Sequence, residues 1–417
     1  MKRHLIGIGG VGMSALATAL VRLGDEVTGA DRTLGTPNIR FLESIGVKVY
    51  PDDGSGIDAQ TDEVVVSTAI EETNLGLIKA KELGIPVTHR AKALARTLGG
   101  YKLVAVVGTC GKSTVTAMLG HVLAECGLDP MCVNGANVPG WEGAVRFGRG
   151  AYAVAEVDES DKSLVAFRPY AAVVTNASAD HYSKEEMDEV FDAFIKDCPG
   201  PVVDGRNGMG DEGQGMRDEW VTPLPGKHNL QNAALAAKMA LALGCAAEDV
   251  RKALASFGGV ERRLQRVGSF KVALDEKGTT REVVVYDDYA HNPEKISAMW
   301  STLAEKHPEG ICVIWRPHGY GPLRKLMEPL ADMFNRTIRP QDKLLLLPVY
   351  DAGGTAFRGV NSSMLAERLA HGRCELVADL EAAFNWCVVH PGEYAALVTC
   401  GARDPGLPVL AKRLASL

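Results

Sequence analysis

Residues 104–114 read VAVVGTCGKST, an apolar β-branched run that breaks at a glycine and passes into Gly-Lys-Ser-Thr. The pattern describes a buried strand feeding a loop and then the first turn of a helix. In such a loop the backbone N–H groups of Gly108, Thr109, Cys110 and Gly111 face an anion, helped by the positive end of the following helix. Lys112 would reach β- and γ-phosphates, and the Ser113 hydroxyl would sit on Mg²⁺, with Thr114 completing the motif. The spacing is shorter than the general G-x-x-x-x-G-K-[ST] form, because Val106 stands where its first glycine would be. The stretch predicts a nucleoside triphosphate site. The competing reading is a glycine turn before a helix with no ligand.

Composition bounds what surrounds that loop. A chain of 417 residues exceeds one ordinary core and predicts two to four domains, and 46% hydrophobic residues supply the material for them. The net charge of −7 is spread along the chain without a polybasic arm, which argues against nucleic acid as a partner. Nine cysteines without paired CxxC spacing suit reduced thiols in the cytoplasm. No apolar run reaches bilayer length, and MKRHLIGIGG turns glycine-rich too early for a secretion signal. The expectation is a soluble cytoplasmic protein with no membrane partner, either a monomer or a homodimer.

Alternating short β-branched runs and amphipathic stretches predict three α/β units. In the first, strands at 4–8, 25–31, 47–50, 63–68 and 86–89 alternate with helices at 12–23, 37–45 and 73–83, and Gly99-Gly100 marks a linker. The second carries the phosphate loop, strands at 152–160 and 171–178, and helices at 229–244 and 247–256; residues 205–220 read as a loop. The third has strands at 282–289, 310–317, 343–350 and 394–400, with helices at 293–306, 322–335, 362–371 and 406–416.

Polar residues crowd the carboxyl ends of these strands, where open α/β sheets bind ligands. Gly7, Gly9 and Gly12 form G-I-G-G-V-G between a strand and a helix, and Asp31 ends the next strand, which is the dinucleotide fingerprint in its required context. Glu156, Asp158, Glu159 and Asp161 gather like charges that raise one another's pKa unless a cation such as Mg²⁺ intervenes; a solvated acidic turn is the alternative. His181 follows at the next strand end as a ligand or a structural histidine. Asp287-Asp288-Tyr289-Ala290-His291-Asn292-Pro293 and Arg316-Pro317-His318 place acid and imidazole at two further strand ends, with Asn292 and Pro293 fitted to start a helix. Two glycine-rich phosphate sites point to one nucleotide on the first unit and ATP on the second. They suggest a reaction that joins a nucleotide-carried substrate to something else. A nicotinamide-dependent oxidoreductase would use only the first motif, and a binding protein neither lysine nor acid.

GIGGVGMS (7–14), STAIEETN (67–74), GTCGKST (108–114), AEVDESD (155–161), TNASADH (175–181), PGKHNLQNAALA (225–236), GVERRLQ (259–265), DDYAHNP (287–293), RPHGY (316–320) and GARD (401–404) occur in this order. Together they resemble the Mur ligases, ATP-dependent amide ligases of peptidoglycan precursor synthesis, and most closely the branch that adds L-alanine. The resemblance covers essentially the whole chain. It implies a three-domain α/β protein: a Rossmann-like N-terminal domain (1–100) for a UDP-sugar, a P-loop ATPase-like central domain (101–265) for ATP, and a doubly wound α/β C-terminal domain (266–417) that closes over both with the amine. ATP would phosphorylate the carboxylate of a UDP-N-acetylmuramate-like substrate, and an amino acid amine would attack the acyl phosphate.

By the same resemblance, Lys112 holds phosphates, Ser113 and Glu156 bind one Mg²⁺, and His181 helps hold a second beside Asn176. His228, Asn229 and Asn232 lie on the adenine side, Arg263 contacts the γ-phosphate, Asp288 the ribose, and His291 lies near the amine. Gly9, Gly10, Val11, Gly12, Asp31, Ser67 and Arg90 would hold the UDP-sugar, and His318 and Arg324 the acceptor. The chain departs from the family at identifiable points. Cys110 replaces Asn or His, Asn292 a second histidine, and Arg403 the third residue of GAGD. Gly319 and Pro322 stand where L-alanine-adding relatives carry two arginines able to pair with a carboxylate, leaving Arg324 and Arg316. The region 199–225 is also shortened. A relative that joins a different amine or carboxylate, outside peptidoglycan synthesis, therefore remains the alternative.

Overall fold

Short runs of Val, Ile and Leu buried on both faces make parallel strands, and the amphipathic stretches between them cross over as helices. The computed structural model describes residues 1–158, 163–177, 184–206, 220–273, 278–351, 358–370 and 372–417. The chain divides into two compact units, one of Met1–Pro223 and His228–Val260, the other of Leu224–Lys227 and Glu261–Leu417.

The first unit holds two sheets. Strands β1 (Lys2–Ile6), β2 (Glu26–Asp31), β3 (Lys48–Pro51), β4 (Glu63–Val66) and β5 (Val87–His89) form a parallel sheet in the order β3-β2-β1-β4-β5. The strand order reverses between β1 and β4, which opens a crevice at their carboxyl ends. Thr36 accepts from the Ile39 N–H and Asn74 from the Leu77 N–H, so both helices that follow begin on a side-chain cap. The second sheet joins β6 (Lys102–Val107), β7 (Met131–Val133), β8 (Val145–Arg146), β9 (Tyr152–Glu156), β10 (Ala171–Val174) and β11 (Val202–Asp204) in the order β11-β10-β6-β9-β7-β8, with only β8 antiparallel. One apolar cluster runs through both sheets and includes Leu5, Leu16, Leu20, Leu103, Val107 and Phe191.

The second unit holds β12 (Gln265–Ala273), β13 (Thr280–Asp288), β14 (Ile311–Trp315), β15 (Lys343–Leu346), β16 (Cys374–Leu376) and β17 (Ala396–Cys400) in the order β12-β13-β17-β14-β15-β16. β12 is an antiparallel edge and the rest are parallel. Its two faces carry separate cores, one around Trp300, Trp315 and Phe334, the other around Ile314, Leu345 and Leu410. No helix among the described residues is long and apolar enough to cross a membrane. Fold class follows the sequence expectation: α/β, three mostly parallel sheets, Rossmann-like, P-loop ATPase-like and doubly wound.

Sequence reading missed β7, β8, β11, β12 and β16 and the helices Lys184–Ile195 and Leu380–Val389. β7, β11 and β16 are three residues long, too short for a period to show, and β12 is half-exposed along most of its length.

His4 in β1 is buried with Nδ1 2.9 Å from Thr28 Oγ1, and burial pushes its pKa down to about 4. Its folded pKa lies below the unfolded 6.5, so the unfolded chain takes the proton first as pH falls. Stability is therefore complete above pH 6.5 and declines toward pH 4, by about 3 kcal/mol from this group. Urea unfolding of His4→Gln across that window should show a shallower acid decline than the parent.

Candidate active site

The phosphate loop leaves β6 and starts the helix Lys112–Glu125, whose first i→i−4 bond is Val115 N–H to Gly111 O at 2.9 Å. Gly108 has φ 127°, and a β-carbon there would lie 2.1 Å from Thr175 Oγ1, so only glycine fits. Two residues at the tail of β10 staple the loop. Thr175 Oγ1 and Asn176 Nδ2 both donate to the Cys110 carbonyl, at 2.6 and 2.9 Å. The Cys110 N–H and Thr109 Oγ1 donate to Asn176 Oδ1 at 3.0 and 2.8 Å, and the Thr109 N–H donates to the Asn176 carbonyl at 3.3 Å. This narrows the expected amide cradle: the Thr109 and Cys110 amides face Asn176, and the donors a bound anion would meet are the helix-start amides from Gly111 onward. Asn176 is accordingly a positioning residue of the loop. Lys112 Nζ donates to the Gly108 carbonyl at 2.6 Å, which holds the ammonium inside the turn.

The helix Lys227–Ala242 brings Asn229 and Asn232 to the same place. Both are buried, Asn232 Nδ2 donates to Asn229 Oδ1 at 3.2 Å, and Asn232 lies directly against Gly111. His228 is pushed below its ordinary pKa by burial and is a neutral imidazole near pH 7. Ser113 is buried one residue into the loop helix. Glu156 ends β9, the neighbour of β6, and its Oε2 accepts the Gly135 N–H at 2.8 Å. A hydroxyl and one carboxylate are the donor set Mg²⁺ takes when phosphates supply the rest. His181, Glu159 and Asp161 lie outside the described residues.

At the crevice of the first sheet, the Gly9 N–H donates to Asp31 Oδ2 at 2.9 Å and the Thr33 N–H to Asp31 Oδ1 at 3.0 Å. Asp31 thus orders the turn that contains Gly10 and Val11. The Arg90 guanidinium lies against Gly12, where a β-carbon would sit 3.1 Å from Nη1. Ser67 closes β4 in a turn, its carbonyl accepting the Ile70 N–H at 3.1 Å. Sequence reading overlooked Asn38, whose Nδ2 donates to the Gly9 carbonyl at 2.9 Å. It lines a cavity of about 160 Å³ with Ser14, Thr18, Phe41, Asn137 and Glu142.

In the second unit, the tails of β13, β17 and β14 lie side by side. Arg262 Nε donates to Asp287 Oδ2 at 2.9 Å, and its two Nη atoms donate to the Ala402 and Gly401 carbonyls. Thr399 Oγ1 donates to Asp287 Oδ1 at 2.7 Å, yet burial still pushes Asp287 up to about 6. Asp288 is buried and raised by desolvation. Its Oδ2 accepts the Leu264 N–H and its Oδ1 the Ala290 N–H, both at 2.7 Å. Arg262 and Leu264 adopt left-handed φ values of 59° and 47°, flanking Arg263, whose guanidinium lies 5.1 Å from the centre of the Tyr289 ring. Such strain persists where surrounding bonds over-determine the backbone, and it concentrates at functional loops.

His291 and His318 meet edge to face with ring centres 4.8 Å apart. A bond of 3.0 Å from His291 Nδ1 to the Tyr289 carbonyl requires a proton on Nδ1. Burial, with the Arg403 and Lys295 charges behind it, lowers His318 to about 4. Arg316 is committed to Asp404 at 2.7 Å, and Arg324 is exposed on the helix Tyr320–Thr337. Sequence reading did not single out Thr175, Arg262, Thr399 or Asp404. Thr175, Arg262 and Asp404 stood inside quoted motifs, while Thr399 left no signal except its place before a strand end.

A Rossmann-like sheet, a P-loop with its lysine, buried serine and neighbouring strand-end carboxylate, and a third sheet presenting acids and imidazoles define an ADP-forming carboxylate–amine ligase. The chain belongs to the Mur ligase family. Residues 2–102 match the Mur ligase family, catalytic domain, and residues 262–403 the Mur ligase, glutamate ligase domain. The chain is 35% identical over 450 residues to the UDP-N-acetylmuramate–L-alanine ligase of Rubrobacter xylanophilus, covering 97% of each. It is 32% identical over 475 residues to the enzyme of that name from Rhizobium etli, covering 99% of this chain and 97% of the relative. The solved UDP-N-acetylmuramate–alanine ligase MurC of Thermotoga maritima superposes with a TM-score of 0.81 at 25% identity, over 100% of this chain and 98% of that one.

Proposed function

We propose that this protein joins UDP-N-acetylmuramate to L-alanine at the expense of ATP. The carrying observation is likeness to L-alanine-adding ligases along nearly the full length of both chains. The carboxylate oxygen attacks the γ-phosphorus and ADP departs. The amine nitrogen then attacks the acyl carbon, and the tetrahedral intermediate expels phosphate and loses one proton. The segments 1–100, 101–265 and 266–417 are assigned to the UDP-sugar, ATP and the acceptor.

Catalysis in such a transfer is mostly positioning and charge stabilisation. Lys112 and the helix-start amides take the β/γ-phosphate charge, Arg263 the γ-phosphate side, and Asn176 holds the loop in shape. Ser113 and Glu156 would hold Mg²⁺, with His181 at a second ion. Bound there, Mg²⁺ neutralises phosphate charge. Neutral His228 with Asn229 and Asn232 borders the base. Gly9, Gly12, Asp31, Ser67 and Arg90 form the UDP-sugar side, and His291 lies near the amine. With substrates of this kind the enzyme would act in the cytoplasm.

Incubation with ATP, Mg²⁺, UDP-N-acetylmuramate and L-alanine should release ADP in proportion to a product heavier by one alanyl residue in mass spectrometry. ADP release that requires a different amine, with none for L-alanine, would replace the acceptor and keep the ligase. No release with any amine would overturn both.

A further inference from the structure

The ligase reading leaves a gap: the loop and helix start after β14 carry Gly319 and Pro322 next to His318 and Tyr320. A carboxylate-bearing acceptor needs a cation, and neither residue supplies one. The structure shows which basic groups at these strand ends are already committed. Arg262 is bound to Asp287 and to two carbonyls. Arg316 donates to Asp404 Oδ2 at 2.7 Å and to the Pro348 carbonyl at 3.1 Å. Asp404 also accepts the Gly406 N–H at 2.8 Å, and its ion pair among the described residues is with Arg316, not Arg403.

Arg403 is exposed and makes no hydrogen bond or ion pair among the described residues. It lies three residues beyond Cys400, the last residue of β17, and His318 lies three beyond Trp315, the last of β14. Those strand ends are paired in register, Trp315 with Cys400, and the Arg316 N–H donates to the Cys400 carbonyl at 3.0 Å. The loops bearing Arg403 and His318 therefore leave the sheet together, and His318 touches His291 on the third tail. The Arg403 charge is felt at His318, the largest influence there after burial.

We infer that Arg403 is the acceptor-specificity residue of this enzyme, its guanidinium taking the carboxylate of the incoming amino acid beside the His291–His318 pair. The inference rests on the ligase reading above. Arginine suits the task because its planar fork meets a carboxylate through two parallel N–H bonds, which lysine cannot reproduce. The charge stands on the β17 loop, one strand away from the His318 loop in the same sheet.

The test is initial-rate kinetics at saturating ATP and UDP-N-acetylmuramate, with L-alanine and with L-alaninamide, which lacks the carboxylate. Wild type should prefer L-alanine. Arg403→Gly should raise the KM for L-alanine by about 10²-fold, leave the KM for ATP and for UDP-N-acetylmuramate unchanged, and abolish the preference over L-alaninamide. Arg403→Lys should recover part of the KM and little of the preference. Thermal unfolding of Arg403→Gly should match wild type, since the side chain is exposed. An Arg403→Gly enzyme with an unchanged KM for L-alanine and an intact preference would overturn the inference while leaving the ligase standing. No ADP release from wild type with any amine would overturn the ligase, and this inference with it.

Discussion

Lys112→Ala is expected to lower ADP release by about 10³-fold while leaving UDP-N-acetylmuramate binding intact. The ammonium is held inside the phosphate loop by its 2.6 Å bond to the Gly108 carbonyl. As the γ-phosphoryl group transfers, negative charge grows on the β/γ-bridging side, and a fixed cation there stabilises the transition state more than the ground state. Alanine removes that charge without disturbing the staple, which runs through Thr175, Asn176, Thr109 and Cys110 and does not use the lysine side chain. Turnover, followed as ADP, and UDP-sugar affinity, followed by calorimetry, should therefore separate. Near-normal turnover in Lys112→Ala would remove the phosphate loop from the reaction.

How much of this was readable beforehand depends on the kind of contact. The VAVV-to-GKST run located β6 and its helix because hydrophobic periodicity and a glycine break are local signals. The glycine fingerprint and Asp31 were equally local, and the Gly9–Asp31 bond now gives the acid a turn-ordering role. Contacts between strands distant in sequence left no such trace. The hydroxyl of Thr175 closes on a carbonyl 65 residues away, and Thr399 reaches Asp287 across 112. Asp288 was legible as an acid at a strand end, but not as one whose oxygens serve the Leu264 and Ala290 amides. Arg262 and Arg263 are adjacent and chemically alike. Only the structure shows that Arg262 turns inward to a buried carboxylate, while both guanidinium groups lie over the Tyr289 ring, at 5.2 and 5.1 Å from its centre.

That inward turn makes Arg262→Ala the most destabilising substitution expected in the second unit. The substitution removes an ion pair whose partners are 18% and 1% exposed, together with donors to the Gly401 and Ala402 carbonyls. It leaves Asp287 buried with only Thr399 to bond it. Removing one partner of a buried pair costs about 3–5 kcal/mol, because the remaining charge is uncompensated. The sign with pH follows from Asp287. Its folded pKa of about 6 already exceeds the unfolded 3.8, so the folded state holds the proton more tightly and ionisation weakens the fold as pH rises through that window. Arg262 is the strongest influence opposing the rise, so its loss raises Asp287 further and extends the weakening to higher pH. The deficit of Arg262→Ala should thus be largest near pH 8 and shrink toward pH 5, where Asp287 is protonated in the variant. Adding Asp287→Asn should recover part of the loss at pH 8 and almost none at pH 5, a coupling that urea unfolding of the four proteins measures directly. A deficit below about 1 kcal/mol, or one that ignores pH, would mean that Asp287 finds other compensation and that the pair does not hold the Arg263 loop in place.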